Sequence, residues 1–169
     1  MPRDPVEMTP AALRVQWLTA LRVYLAASAL AHPVWEVLQL PLYALWRTGT
    51  DQEIAFAVLH CSVGDVVISA LTLLAALVIV GSPAWPAARF GRVAAATMLL
   101  GIAYTIWSEY LNTSIRGAWS YSELMPVLPP FGTGMSPLVQ WVVVPAIAFG
   151  LTRRMLRRRI DVEMRGKPC

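Results

Sequence analysis

His32 and Glu36 stand one helical turn apart in the stretch AHPVWEVLQLPLY (31–43), where almost every other residue is apolar. An imidazole and a carboxyl at this spacing share a helix face and can touch. Asp65, His60 and Glu109 fall in later apolar stretches of the same kind. These types suit three kinds of chemistry. Paired acids beside a histidine move protons, His, Asp and Glu together can hold a divalent cation, and two histidines on neighbouring helices can ligate a haem.

The elements that must position these groups are membrane spans. Of the 169 residues, 57% are hydrophobic and 14% charged, against about 25% charged in a soluble domain, and the mean hydropathy is +0.55. Four segments approach the ~20 apolar residues needed to cross a bilayer: about 23–45, 54–80, 93–111 and 135–152. The last is short and carries Pro145. RTGTDQE and GSPAWPAARFGR separate the first three, and Pro83 and Pro86 cannot continue a helix. The expected fold is all-α, an integral membrane bundle of four transmembrane helices. Residues 1–22 form an interfacial lead-in, 23–152 the transmembrane domain and 153–169 a basic tail. Thr9 caps the lead-in, with Pro10 at its first helical position, and Trp17 is read as a headgroup anchor.

Arginines orient the bundle. Arg3, Arg14 and Arg22 precede the first span, Arg89 and Arg92 lie between the second and third, and RRMLRRR (153–159) follows the fourth. The other side holds only Arg47 and Arg116. Both termini are therefore expected in the cytoplasm. The net charge of +4 is placed for lipid headgroups, and no aromatic-interleaved basic surface suggests nucleic acid. ASALA before His32 matches a signal-peptidase site, but Asp4 and Glu7 spoil the basic region such a signal needs. Lys167 is the only lysine, and the apolar residues lean towards Ala, Leu and Val; this bias is associated with GC-rich bacterial genomes. The expected location is a bacterial inner membrane, with membrane lipids as partners and a homo-oligomer possible. Cys61 and Cys169 have no metal-ligand spacing, and no metal or cofactor is expected.

A charged group at the bilayer centre costs about 2.5–3.5 kcal/mol, so five ionisable groups in four spans must face inwards, pair or be neutral. At about 1.5 Å per residue, all five fall between the midplane and the outer surface. Asp65 shares a face with Cys61 and Ser69, which Thr72 continues, whereas His60 is on another face. Glu109 shares one with Thr105 and Asn112. Pro33 and Pro41 free the carbonyls of Ala29 and Val37. The bland alternative is helix association, for which a polar pair in a membrane contributes only about 0.6 kcal/mol. His32, Glu36, Asp65 and Glu109 are the candidate catalytic residues, with Glu36 the principal proton carrier and His32 its partner. Trp35, Trp107, Asn112 and Gln140 are candidate substrate contacts. The bland reading makes the tryptophans packing or belt residues and Gln140 a hydrogen bond between helices. The loop 112–137, rich in Pro, Gly and aromatics, reads as an interfacial cover with a compact turn, or as a lid.

HPVWEVLQLPLY followed by an acid in the next span is similar to the emopamil-binding (EXPERA-type) membrane proteins. The resemblance covers roughly the first two spans. It implies a sterol isomerase or a sterol- or amine-binding relative, in which His32 and Glu36 handle a shuttled proton and Asp65 supplies the further acid. Three functional readings stay open: a membrane enzyme or binding protein for an apolar sterol or isoprenoid lipid, a proton or divalent-cation carrier or accessory subunit, and a haem-bearing subunit.

Overall fold

A computed structural model describes residues 10–165, with side chains described for 14–159. Thr9, Arg3, Asp4, Glu7, Lys167 and Cys169 lie outside that range, so the expectations placed on them do too. The chain is mostly helical. Its elements are α1 (Pro10–Gln39), a 3-10 turn (Leu40–Leu42), α2 (Leu45–Thr48), α3 (Asp51–Val80), α4 (Phe90–Glu109), a π-helical turn (Tyr110–Ile115), a small pair β1 (Val127–Leu128) and β2 (Thr133–Gly134), and α5 (Met135–Arg165). The four long helices pack as a ring in which α1 touches α3 and α5, and α4 touches the same two.

Three helical stretches, Asp51–Val80, Phe90–Ile115 and Met135–Arg159, are long and apolar enough to cross a membrane. Their outward surfaces agree with that: Phe56, Val78, Ile79 and Leu99 are all more than 65% exposed, an inversion of the usual soluble pattern. α1 is as long as α3 but outside this apolar set, because His32, Glu36 and Gln39 load its second half.

The helix ends differ from expectation for local reasons. α1 is continuous from Pro10, so the lead-in and the first span form one helix. It stops at Gln39, ahead of the expected 45, because Pro41 has no N–H to donate to the Val37 carbonyl, and the chain tightens into the 3-10 turn Leu40–Leu42. α3 begins at Asp51 through a reciprocal capping box between Thr50 and Glu53, which satisfies two of the free N–H groups. Residues 153–165 extend α5, so the basic run is helical where a separate tail was expected. Trp17 packs edge-on against Trp85 and donates to the Pro83 carbonyl at 3.2 Å, so it anchors the 81–89 turn.

The interior is divided along its length. Near the start of α1, Ala20, Tyr24, Leu73, Ala76, Trp85, Val93, Ala148 and Phe149 make the apolar core. Towards the Gln39 end the same interior is filled by polar groups.

Candidate functional site, a shared amide among two acids and a histidine

The polar end is built from three helices. His32, Glu36 and Gln39 project from one face of α1 and are buried, at 0, 8 and 5% exposure. α3 contributes Asp65 and Ser69 at the expected i, i+4 spacing. From α5 comes Gln140, 2% exposed, and its amide is the hub. Gln140 Nε2 lies 2.8 Å from Asp65 Oδ2, 2.9 Å from His32 Nδ1 and 3.2 Å from Glu36 Oε1. Glu36 Oε1 also accepts from Gln39 Nε2 at 2.8 Å, and Gln39 Oε1 accepts from Ser136 Oγ at 2.8 Å and Trp35 Nε1 at 3.2 Å. The far ring nitrogen of His32, Nε2, meets Ser69 Oγ at 2.8 Å.

This arrangement has more acceptors than protons. An amide carries two N–H donors and here faces three acceptors. With the proton of His32 on Nε2, donated to Ser69, Nδ1 accepts from Gln140 and a single amide proton is left for the two carboxyls. With it on Nδ1, the ring faces Asp65 Oδ2 at 3.5 Å, Ser69 donates to Nε2, and both amide protons are free for Glu36 and Asp65. Moving one ring proton therefore redistributes hydrogen bonds over both acids. His32 in turn packs on Trp141, ring centres 5.5 Å apart. Trp141 fits only because residue 101 on α4 is glycine: a Cβ there would come within 2.2 Å of the indole.

Glu109 is held apart from this centre. It is buried at the end of α4, where it accepts from the Tyr121 hydroxyl and from Trp119 Nε1 at 3.4 Å. Tyr121 OH accepts from the Gly134 N–H at 2.9 Å. Burial, and then the Glu109 carboxyl beside it, push the Tyr121 phenol above its ordinary range, so it stays a donor. The same loop is sewn to the α1–α2 connection: Ala44 N–H donates to Ser120 O at 3.0 Å, Ser122 N–H to Leu42 O at 2.9 Å and Ser122 Oγ to Pro41 O at 2.9 Å. The segment thus covers the Gln39 end of α1.

Of the remaining candidates, Trp35 reaches the centre only through Gln39. Trp107 is 57% exposed and points outwards, because its position on α4 lies off the buried Thr97–Gly101–Thr105–Glu109 face. Asn112 turns back to Ser108 O at 2.9 Å in the π-helical turn, where the expected continuation of the Glu109 face is lost. His60 is exposed and stacked on Phe56, ring centres 5.6 Å apart, while both nitrogens of His32 are engaged; the two histidines do not form one site. Among the described residues, no group of three or more His, Cys, Asp or Glu side chains is placed to hold a metal ion. Sequence reading missed Ser69's direct bond to His32, Ser136, and Gly101 as the seat of Trp141. The signal for Ser69 was its spacing from Asp65; nothing local marked Ser136.

Between α1 and α3 an open groove of about 480 Å³ is lined by Pro33, Val37, Trp46, Val58, Leu59 and Ser62 among others, and by none of the centre's own side chains. Comparison with protein-family models, with curated proteins and with solved structures finds no match.

Proposed function

We propose that the chain is an integral protein of a bacterial inner membrane, with α1, α3, α4 and α5 as a four-helix transmembrane bundle and both termini in the cytoplasm. Its centre of His32, Glu36, Asp65 and Gln140 handles protons for an apolar sterol- or isoprenoid-class lipid, as an isomerase-like enzyme. The observation that carries this reading is the Gln140 amide shared among two carboxyls and an imidazole. A purely structural pairing would satisfy each acid separately.

The reaction that fits is migration of a carbon–carbon double bond. Protonated Glu36 adds its proton to one alkene carbon, leaving a cation on the other. Asp65 takes a proton from the next carbon, so the double bond re-forms one position along. The proton then passes from Asp65 to Glu36 across their direct side-chain hydrogen bond, with His32 and Gln140 holding the two carboxyls in place, and no proton is gained or lost overall. Asp65 is the most open of the three, with its side chain 16% exposed. The similarity of HPVWEVLQLPLY to EXPERA-type proteins points to the same roles for His32 and Glu36.

A second reading, a proton carrier or accessory subunit, is favoured by one observation: the buried polar face of α1 continues past His32 to Ser28 and Tyr24. The deciding experiment is untargeted lipid profiling of host cells lacking the gene, complemented with the native chain or with Glu36→Gln at equal expression. One lipid class should shift on deletion, return with the native chain and fail to return with the variant. An unchanged profile, or full rescue by Glu36→Gln, overturns the enzyme reading.

A further inference from the structure

The polar face of α1 extends well beyond the centre. Tyr24, Ser28, His32, Glu36 and Gln39 follow at steps of four, four, four and three, so they share one side of the helix, and none is more than 8% exposed. At about 1.5 Å per residue the stripe runs roughly 22 Å, most of a hydrocarbon core about 30 Å thick. Ser69 of α3 lies against it, bonded to His32 Nε2. The Tyr24 hydroxyl faces Ser28 and Ser69, yet neither Tyr24 Oη nor Ser28 Oγ has a hydrogen-bond partner, though both are fully buried. Thr72, the next polar residue on α3, is different because its hydroxyl is used on the carbonyls of Ile68 and Ser69.

Buried hydroxyls in native proteins are almost always partnered, by protein or by ordered water. Two unpartnered ones side by side, next to a serine that bonds a histidine, form a polar space that water can join. Phe and Ala would fill the same positions with no such cost. Beyond Tyr24, towards the 81–89 turn, the interior is the apolar core.

We propose that Tyr24 and Ser28, with water between them, form a proton lead running from His32 towards the cytoplasmic half of the bundle. The proposal rests on the proton-handling reading of the centre and adds a route to it. Each hydroxyl or water accepts one proton and releases another. His32 receives one on Nε2 from Ser69 and gives one up from Nδ1 to Asp65. One proton enters and one leaves, with no other change.

The test follows the single label that the sequence allows. The chain has two histidines, so His60→Gln, made outside the site, leaves His32 alone. In this background the full chain, labelled with ¹⁵N-histidine and placed in lipid vesicles, is transferred to D2O, and exchange of the His32 ring N–H is followed by solid-state NMR. Tyr24→Phe combined with Ser28→Ala should slow exchange at least tenfold and leave thermal stability unchanged or higher. Ser62→Ala removes a buried unpartnered hydroxyl away from the stripe and should leave the rate unchanged. Should the double variant misfold, Tyr24→Phe alone carries the test, with at least a threefold slowing expected. Exchange as fast as in the parent overturns the lead, and His32 is then served from the Gln39 end through Asp65. Because no substrate is needed, the result is independent of the lipid profile. Slowed exchange with no lipid change keeps the lead and removes the isomerase.

Discussion

Two buried acid sites at the same end of this molecule are wired in opposite ways. Glu109 has two donors of its own, Tyr121 and Trp119, and those donors belong to a loop that is itself stitched to α1 and α2. Glu36 has one donor of its own, Gln39, but it and Asp65 share the Gln140 amide with His32. The lesson is that burial of a carboxyl does not by itself mark chemistry. A carboxyl whose donors serve it alone fastens structure, whereas carboxyls that share one amide with an imidazole leave a proton free to move.

The sharpest break of this contrast is Gln140→Leu. It strips the hub from three acceptors at once: Glu36 keeps Gln39 as a donor, whereas His32 Nδ1 and Asp65 Oδ2 lose theirs, each at a cost of about 1–3 kcal/mol. The expected result is a loss of several kcal/mol in detergent or bilayer unfolding, together with loss of lipid conversion. Glu109→Gln should behave differently, because the amide oxygen still accepts from Tyr121: conversion is retained and stability falls by less than ~1 kcal/mol. If the two substitutions have equal effects on conversion, the division between the sites is wrong.

Next in size is Gly101→Ala. The added methyl group collides with Trp141, and overpacking of this kind costs about 1–3 kcal/mol. The indole supports His32, so tryptophan fluorescence and conversion should change together. Smaller still is the coupling between Glu109 and Tyr121. A double-mutant cycle of Glu109→Gln and Tyr121→Phe should give about 0.6 kcal/mol, the average for polar pairs in membranes.

The smallest effect is on pH. The Tyr121 phenol is pushed above its ordinary range in the folded chain, by burial first and by Glu109 next. A group raised in this way gives its full contribution below its unfolded value, about 10 for tyrosine, and loses it as pH climbs towards the folded value. Protease sensitivity of the 116–134 loop should therefore be flat from neutral pH to about 9 and rise above 10. In Tyr121→Phe the loop should be looser at neutral pH and lack this alkaline step.

Several features were legible before any fold was known. The apolar runs and the Pro- and Gly-bearing breaks pointed to four long helices, and three of the four are long and apolar enough to cross a bilayer. α3 and α4 fall within three residues of the expected ends, whereas α1 begins 13 residues earlier and α5 ends 13 residues later. The i, i+4 relation of His32 to Glu36 and of Asp65 to Ser69 followed from helix geometry, and both pairs do share a buried face. The T-x-x-E of Thr50 and Glu53 also stands in the sequence but is passed over as part of a break; its capping box starts α3 at Asp51, ahead of the expected 54.

Sequence order itself determined which groups share a helix face, because a helix repeats every 3.6 residues whatever surrounds it. It also placed the acids towards one end of the chain's apolar segments. Only the tertiary structure decided which faces meet. Gln140 is more than a hundred residues from His32 and Glu36, and it became the hub because α5 packs against α1 while reaching Asp65 of α3. Glu109 was diverted to the loop because Tyr121 and Trp119 reach it first, by way of the π-helical turn and the stitches to residues 41–44. Periodicity fixes the direction of a side chain about its own axis; the partner it finds depends on how the helices rotate against one another, and packing of the whole chain sets that.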